Sequence, residues 1–109
     1  MKRILVSKHA GSFAGDKDAA ALVRDSLLNP GLKQGGNVII DFKGVDLATQ
    51  SFIHALLSNI IRSDPEALGR ITFENCNSSV QELIEIVAEY SQEELQPLAG
   101  GDGEEVGKR

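Results

Sequence analysis

The run Val38-Ile39-Ile40-Asp41-Phe42 constrains the fold more than any other part of the chain. A near-continuous apolar run of this kind predicts a central strand covered on both faces, a situation typical of parallel sheets flanked by helices. It ends next to a carboxylate, and Lys43-Gly44-Val45-Asp46 then reads as a short turn. Thr49-Gln50-Ser51 follows and opens a segment of helical periodicity. This layout places a polar loop, with the free N–H groups of a helix start, beside the end of a buried strand. Loops on a rigid scaffold are where a small domain usually carries its function.

The other segments support the same class. Ile4-Leu5-Val6 reads as a first strand, Lys8-His9-Ala10-Gly11 as a turn, and Ser12-Phe13-Ala14 as a short return strand. Asp16 is placed to cap a helix starting at Lys17, with Ala19, Leu22, Val23, Ser26 and Leu27 on one face, and Asn29-Pro30-Gly31 is expected to end it. Phe52, Ile53, Leu56, Leu57, Ile60 and Ile61 predict a second helix over 51–62 with a broad buried stripe. Arg70-Ile71-Thr72-Phe73-Glu74 alternates like a strand. Two overlapping capping boxes, Ser78 with Gln81 and Ser79 with Glu82, predict the start of a third helix. Its apolar face is Val80, Leu83, Ile84, Val87 and Ala88.

Strands alternating with helices predict a small α/β sandwich. Its sheet is expected to be mostly parallel, of about four strands, with helices packed on it and an antiparallel N-terminal hairpin at one edge. Residues 1–91 make one domain, and 92–109, with Pro97, Gly100, Gly101, Gly103 and Gly107 among acids, read as a flexible acidic, glycine-rich tail.

Composition narrows the function classes. Aromatic residues make up 5% of the chain and Trp is absent, so the core must rest on Leu, Ile, Val and Ala. No apolar run approaches the roughly 20 residues of a membrane-spanning helix, and no secretory signal leads the sequence, so a cytosolic location is expected. Net charge is −5, split as +2 up to Ala48 and −7 from Thr49 onward. An acidic half argues against nonspecific nucleic-acid binding, which needs a basic face. It suits a partner with a basic surface, although glutamates at this spacing also simply solvate a helix.

Catalytic and metal motifs are weak. Gly11-Ser12-Phe13-Ala14-Gly15-Asp16-Lys17 has an aspartate where a phosphate-binding loop needs lysine, so it reads as a turn and cap. His9 and His54 have no ligands at metal spacing, and no cofactor is expected. Ser51 with His54 and Asp41 or Asp46 resembles a nucleophilic triad only in composition, because no nucleophile elbow accompanies it. Cys76 precedes a helix start that would stabilise a thiolate, but no second thiol exists to resolve it. Non-enzymatic function is therefore expected. Thr49 and Ser51 carry exposed hydroxyls on a strand-to-helix loop; they suit both N-capping and phosphorylation.

The pattern Asp41-Phe42-Lys43-Gly44-Val45, followed by Ser51-Phe52 and later by Phe73-Glu74-Asn75-Cys76-Asn77-Ser78-Ser79-Val80, resembles the STAS fold family across about two-thirds of the chain. That family includes domains of sulfate transporters and the bacterial anti-sigma-factor antagonists, and the pattern is similar to a STAS-like branch of it. The resemblance implies a regulatory module that docks a histidine-kinase-type ATPase, or a related regulator, through the loop 46–54. In well-studied members a serine of this loop is phosphorylated by the partner. That serine falls on Gln50, which cannot accept phosphate, and Ser51 matches the second hydroxyl position. The expected contact residues are Asp46, Thr49, Gln50, Ser51 and His54, with Ser51 and then Thr49 as phosphoacceptors. The alternative is a small-ligand or nucleotide sensor using Asp46, Asn75 and Asn77, since ligands favour the carboxyl ends of parallel strands.

Overall fold

The apolar run forms the middle strand of a parallel sheet in a computed structural model that describes residues 2–95. In chain order the elements are β1 (Lys2–Leu5), α1 (Ser7–Ala10), β2 (Phe13–Ala14), α2 (Lys17–Val23), α3 (Asn29–Lys33), β3 (Val38–Asp41), β4 (Leu47–Ala48), α4 (Gln50–Ser63), β5 (Ile71–Glu74) and α5 (Ser78–Leu95). A π-helical turn, Arg24–Leu28, joins α2 to α3, and a 3-10 segment, Pro65–Arg70, leads into β5. The main sheet has the order β1-β3-β5, and a second parallel ladder joins β2 to β4. No described helix is long and apolar enough to cross a membrane.

Register decides which side of the sheet is core. Ile4, Ile40 and Phe73 lie opposite one another, as do Lys2, Val38 and Ile71. Ile4, Val38, Ile40 and Ile71 are buried on that face. Helix α4 lies between α2 and α5. Its apolar stripe of Phe52, Ile53, Leu56, Leu57, Ile60 and Ile61 is buried as the periodicity requires. Val80, Ile84 and Val87 contribute the equivalent stripe from α5.

The structure corrects several expectations, among them the apolar face of α2, where Leu22 is 61% exposed and Ala20 is buried instead. The central strand is not covered by apolar packing on both faces: the second face carries Arg3, Leu5, Ile39, Asp41, Thr72 and Glu74, of which Arg3 and Thr72 are exposed. Asp41 is buried there because polar side chains cover it.

The N-terminal hairpin does not form. Bonds from Ala10 N–H to Val6 C=O and from Gly11 N–H to Ser7 C=O close a helical turn after β1. Gly11, at a φ of 75°, then redirects the chain so that β2 runs parallel to β4.

Asn29-Pro30-Gly31 does not end the helical segment, which continues to Lys33. Within the π turn Asn29 N–H reaches back to Arg24 C=O. Pro30 then occupies the first turn of α3, where its missing N–H costs little. The expected tail is helical over 92–95, as part of α5, and its remainder lies outside the described residues.

Two substitutions test this packing. Leu56→Ala should lower the unfolding free energy by about 3 kcal/mol, within the range for a buried leucine. Gly31→Ala would be favoured by helix propensity alone. Here its new Cβ would lie 2.9 Å from Val38 Cγ2, on a fully buried side chain. Overpacking should prevail and lower the urea midpoint.

Candidate functional site

The loop after the central strand is built from Asp41 onward. Asp41 Oδ1 accepts from Lys43 N–H at 2.9 Å and from Asn75 Nδ2 at 2.8 Å, while Oδ2 accepts from Arg3 at 2.8 Å. The same guanidinium donates to Glu74 at 2.9 Å. The carboxylate thereby links the ends of β1, β3 and β5. Donation from Asn75, then from Lys43 N–H and Arg3, holds its pKa below the ordinary aspartate range.

Val45 N–H bonds to Phe42 C=O at 2.9 Å, closing the turn, and Phe42 and Val45 are buried on either side of it. Gly44, at a φ of 87°, brings the backbone close to Ser7. Beyond this turn, Ser12 C=O accepts from Asp46 and Leu47 N–H, and Ala14 C=O accepts from Thr49 N–H. Phe13 pairs with Leu47, and Ala14 with Ala48. The alanines face inward; Phe13 is 59% and Leu47 54% exposed. The Phe13 ring leans over Gly15, where an added Cβ would come within 2.8 Å of it.

Thr49 is the N-cap of α4, its Oγ1 accepting from Phe52 N–H at 3.1 Å. Ser51 Oγ lies 3.2 Å from that same Oγ1 and is exposed, as are Asp46 and Gln50. His54 is half-buried, its Nδ1 3.4 Å from Ser58 Oγ, one turn further along α4. The Ser51 and His54 side chains thus bond to Thr49 and Ser58, and Asp41 is committed to Arg3, Lys43 and Asn75, so no Ser–His–Asp relay assembles. Lys17 joins Gln50, Ser51, His54 and Ala55 around a shallow groove of about 450 Å³.

Of the ligand-sensor alternative, Asn75 and Asn77 have their side chains engaged internally, while the Asp46 carboxylate is exposed. Asn75, with a φ of 58°, gives its amide to Asp41, and Asn77 Nδ2 donates to Asp46 C=O at 2.8 Å. Asn77 Oδ1 also accepts from Val80 N–H at 2.9 Å. Asn77 is therefore the capping side chain of α5, in place of the expected Ser78 and Ser79 boxes; it fastens that helix to the corner. Cys76 is half-buried. Burial and the nearby Asp41 charge push its thiol pKa up, opposite to a reactive thiolate.

Thr49, Gln50 and Ser51 are brought together, with Asp46 and His54 flanking them. The apolar pair of Phe13 and Leu47 was not anticipated. Its signal is a repeated large-small dipeptide, Phe13-Ala14 and Leu47-Ala48, which becomes meaningful only once the two are paired.

Thr49→Ala should cost about 1 kcal/mol of stability, and Thr49→Ser should retain most of it. Because its folded pKa is lowered, Asp41 stabilises the fold above about pH 4 and loses that contribution as pH falls through the folded value. Asp41→Asn should lower the urea midpoint at neutral pH and flatten its decline in acid.

The model of the family described as STAS-like domain of unknown function (DUF4325) matches residues 19–81, from α2 through the corner to the first turn of α5. No curated protein and no solved structure gives a significant match. The matched segment spans more than half of the chain and contains the turn and residues 46–54, though not β2, and the chain belongs to this STAS-like family.

Proposed function

We propose that this domain is a non-enzymatic regulatory module of the cytosol that docks another protein through the corner 46–54. The observation that carries the reading is the Phe13–Leu47 pair, two large apolar side chains held side by side in solvent at a rigid corner. Aromatic and aliphatic anchors ringed by polar groups are the usual centre of a protein interface. In the same corner Asp46, Gln50 and Ser51 are exposed, and Thr49 and His54 are half-buried. Family membership supports a partner of the kind bound by anti-sigma-factor antagonists, a histidine-kinase-type ATPase or a related regulator.

Regulation by phosphate fits Ser51 better than Thr49. Ser51 is exposed, whereas Thr49 Oγ1 already caps α4. A phosphoryl group on Ser51 would add about −1.5 to −2 charges at the start of α4 and disfavour docking onto an acidic or apolar surface.

The test is co-purification with ATPase-type kinases from the same genome. Leu47→Glu and Phe13→Ser should weaken capture at least about tenfold, the loss expected for an interface anchor. Ser51→Asp should weaken it less. Leu22→Ser, an exposed leucine on α2, should leave it unchanged. A partner retained equally by all four variants would refute docking at the corner.

A further inference from the structure

β5 is the terminal strand of the main sheet, and among the described residues no strand pairs with its outer edge. Backbone groups alternate in direction along a parallel strand. Because Phe42 N–H donates to Glu74 C=O, Glu74 and Thr72 face β3, and Phe73 directs its N–H and C=O outward. Ile71 N–H on the same side is already taken by Leu68 C=O. The open part of the edge is therefore centred on Phe73.

Beside it lies a groove of about 390 Å³ between β5 and α5, lined by Phe73, Asn75, Cys76, Gln81, Ile84 and Glu85. Phe73 is on the core side of the sheet, in register with the buried Ile40, yet is only half-buried. A strand laid along the edge would direct alternate side chains onto Phe73 and Ile84. On the groove's helical side the carboxylate is the exposed Glu85, beside Gln81 and Ile84.

We propose that this edge and groove form a second docking site, separate from the corner, for an extended segment of another protein that is apolar at alternate positions and basic between them. Main-chain bonds to Phe73 would supply the pairing, the groove would take an apolar side chain, and the Glu85 carboxylate would select positive charge. Charge decides against two other occupants. A second copy would bring the same acidic helix to the edge, and residues 96–109, with Asp102, Glu104 and Glu105 against Lys108 and Arg109, are net acidic.

The probe is a short acetylated and amidated peptide of alternating lysine and valine, titrated into the intact protein and followed by backbone-amide NMR. Saturable shifts are expected at Phe73, Asn75, Gln81, Ile84 and Glu85. Affinity should fall about tenfold in Glu85→Lys, a charge reversal at a docking surface. It should fall at least as much when the peptide's edge amides are N-methylated or its lysines replaced by glutamate. Absence of saturable shifts at the β5 edge would overturn the proposal, as would equal binding of the N-methylated peptide. Contacts from residues 96–109 to Phe73, or shifts at this edge that follow protein concentration without peptide, would overturn it too, by identifying a different occupant.

Discussion

The carboxylate of Asp41 is the point on which the functional end of this protein depends. Three strands end side by side, and parallel strands have no tight hairpins to hold their ends in place. Asp41 supplies that connection by accepting from Arg3 on β1, from Asn75 after β5 and from the backbone of its own following turn. Removing one partner from such a buried group costs more than the bond itself, because the remaining polar atoms lose both partner and water. The Asp41-to-Val45 motif is thus structural throughout. The aspartate joins the strands, Phe42 and Val45 anchor the turn in the core, and Gly44 permits the left-handed step close to Ser7.

From that fixed turn the corner follows. The N–H groups of Asp46, Leu47 and Thr49 pair with Ser12 and Ala14 C=O, Asp46 C=O accepts from Asn77, and Thr49 C=O accepts from Ile53 N–H, so what the corner mainly offers to solvent is side chains. In each dipeptide the alanine turns inward and the larger residue outward, the reverse of the usual distribution. The outward arrangement leaves an apolar pair in solvent, next to a hydroxyl at the start of a long helix, and on it the reading of a regulatory docking site rests.

Local periodicity made the helices legible. The six apolar positions of α4 and the stripe of α5 are buried as their spacing requires, and Asp16 and Thr49 cap helices as their side chains allow. Non-local pairing was not legible. The β2–β4 ladder joins two-residue strands separated by more than thirty positions, too short to show alternation. The continued helix through Pro30 depends on a π turn, and Arg24 of that turn donates to Ala55 C=O on α4, a tertiary contact invisible to propensity. Asn77 displaced two serines as a cap because its amide also reaches Asp46 C=O, joining local and tertiary demands in one side chain. Val38 to Phe42 misled in a different way: its apolar residues suggested double coverage, whereas Asp41 turned the second face polar.

The outward placement of Phe13 and Leu47 separates two selective pressures that are usually entangled. Side chains buried in the interior cannot change without disturbing their neighbours, but these two hang from a framework held by main-chain bonds and small residues. Their identity can drift with little loss of foldedness. Under the proposed docking role, a lineage can exchange one recognition preference for another through these two codons while inheriting the scaffold unchanged.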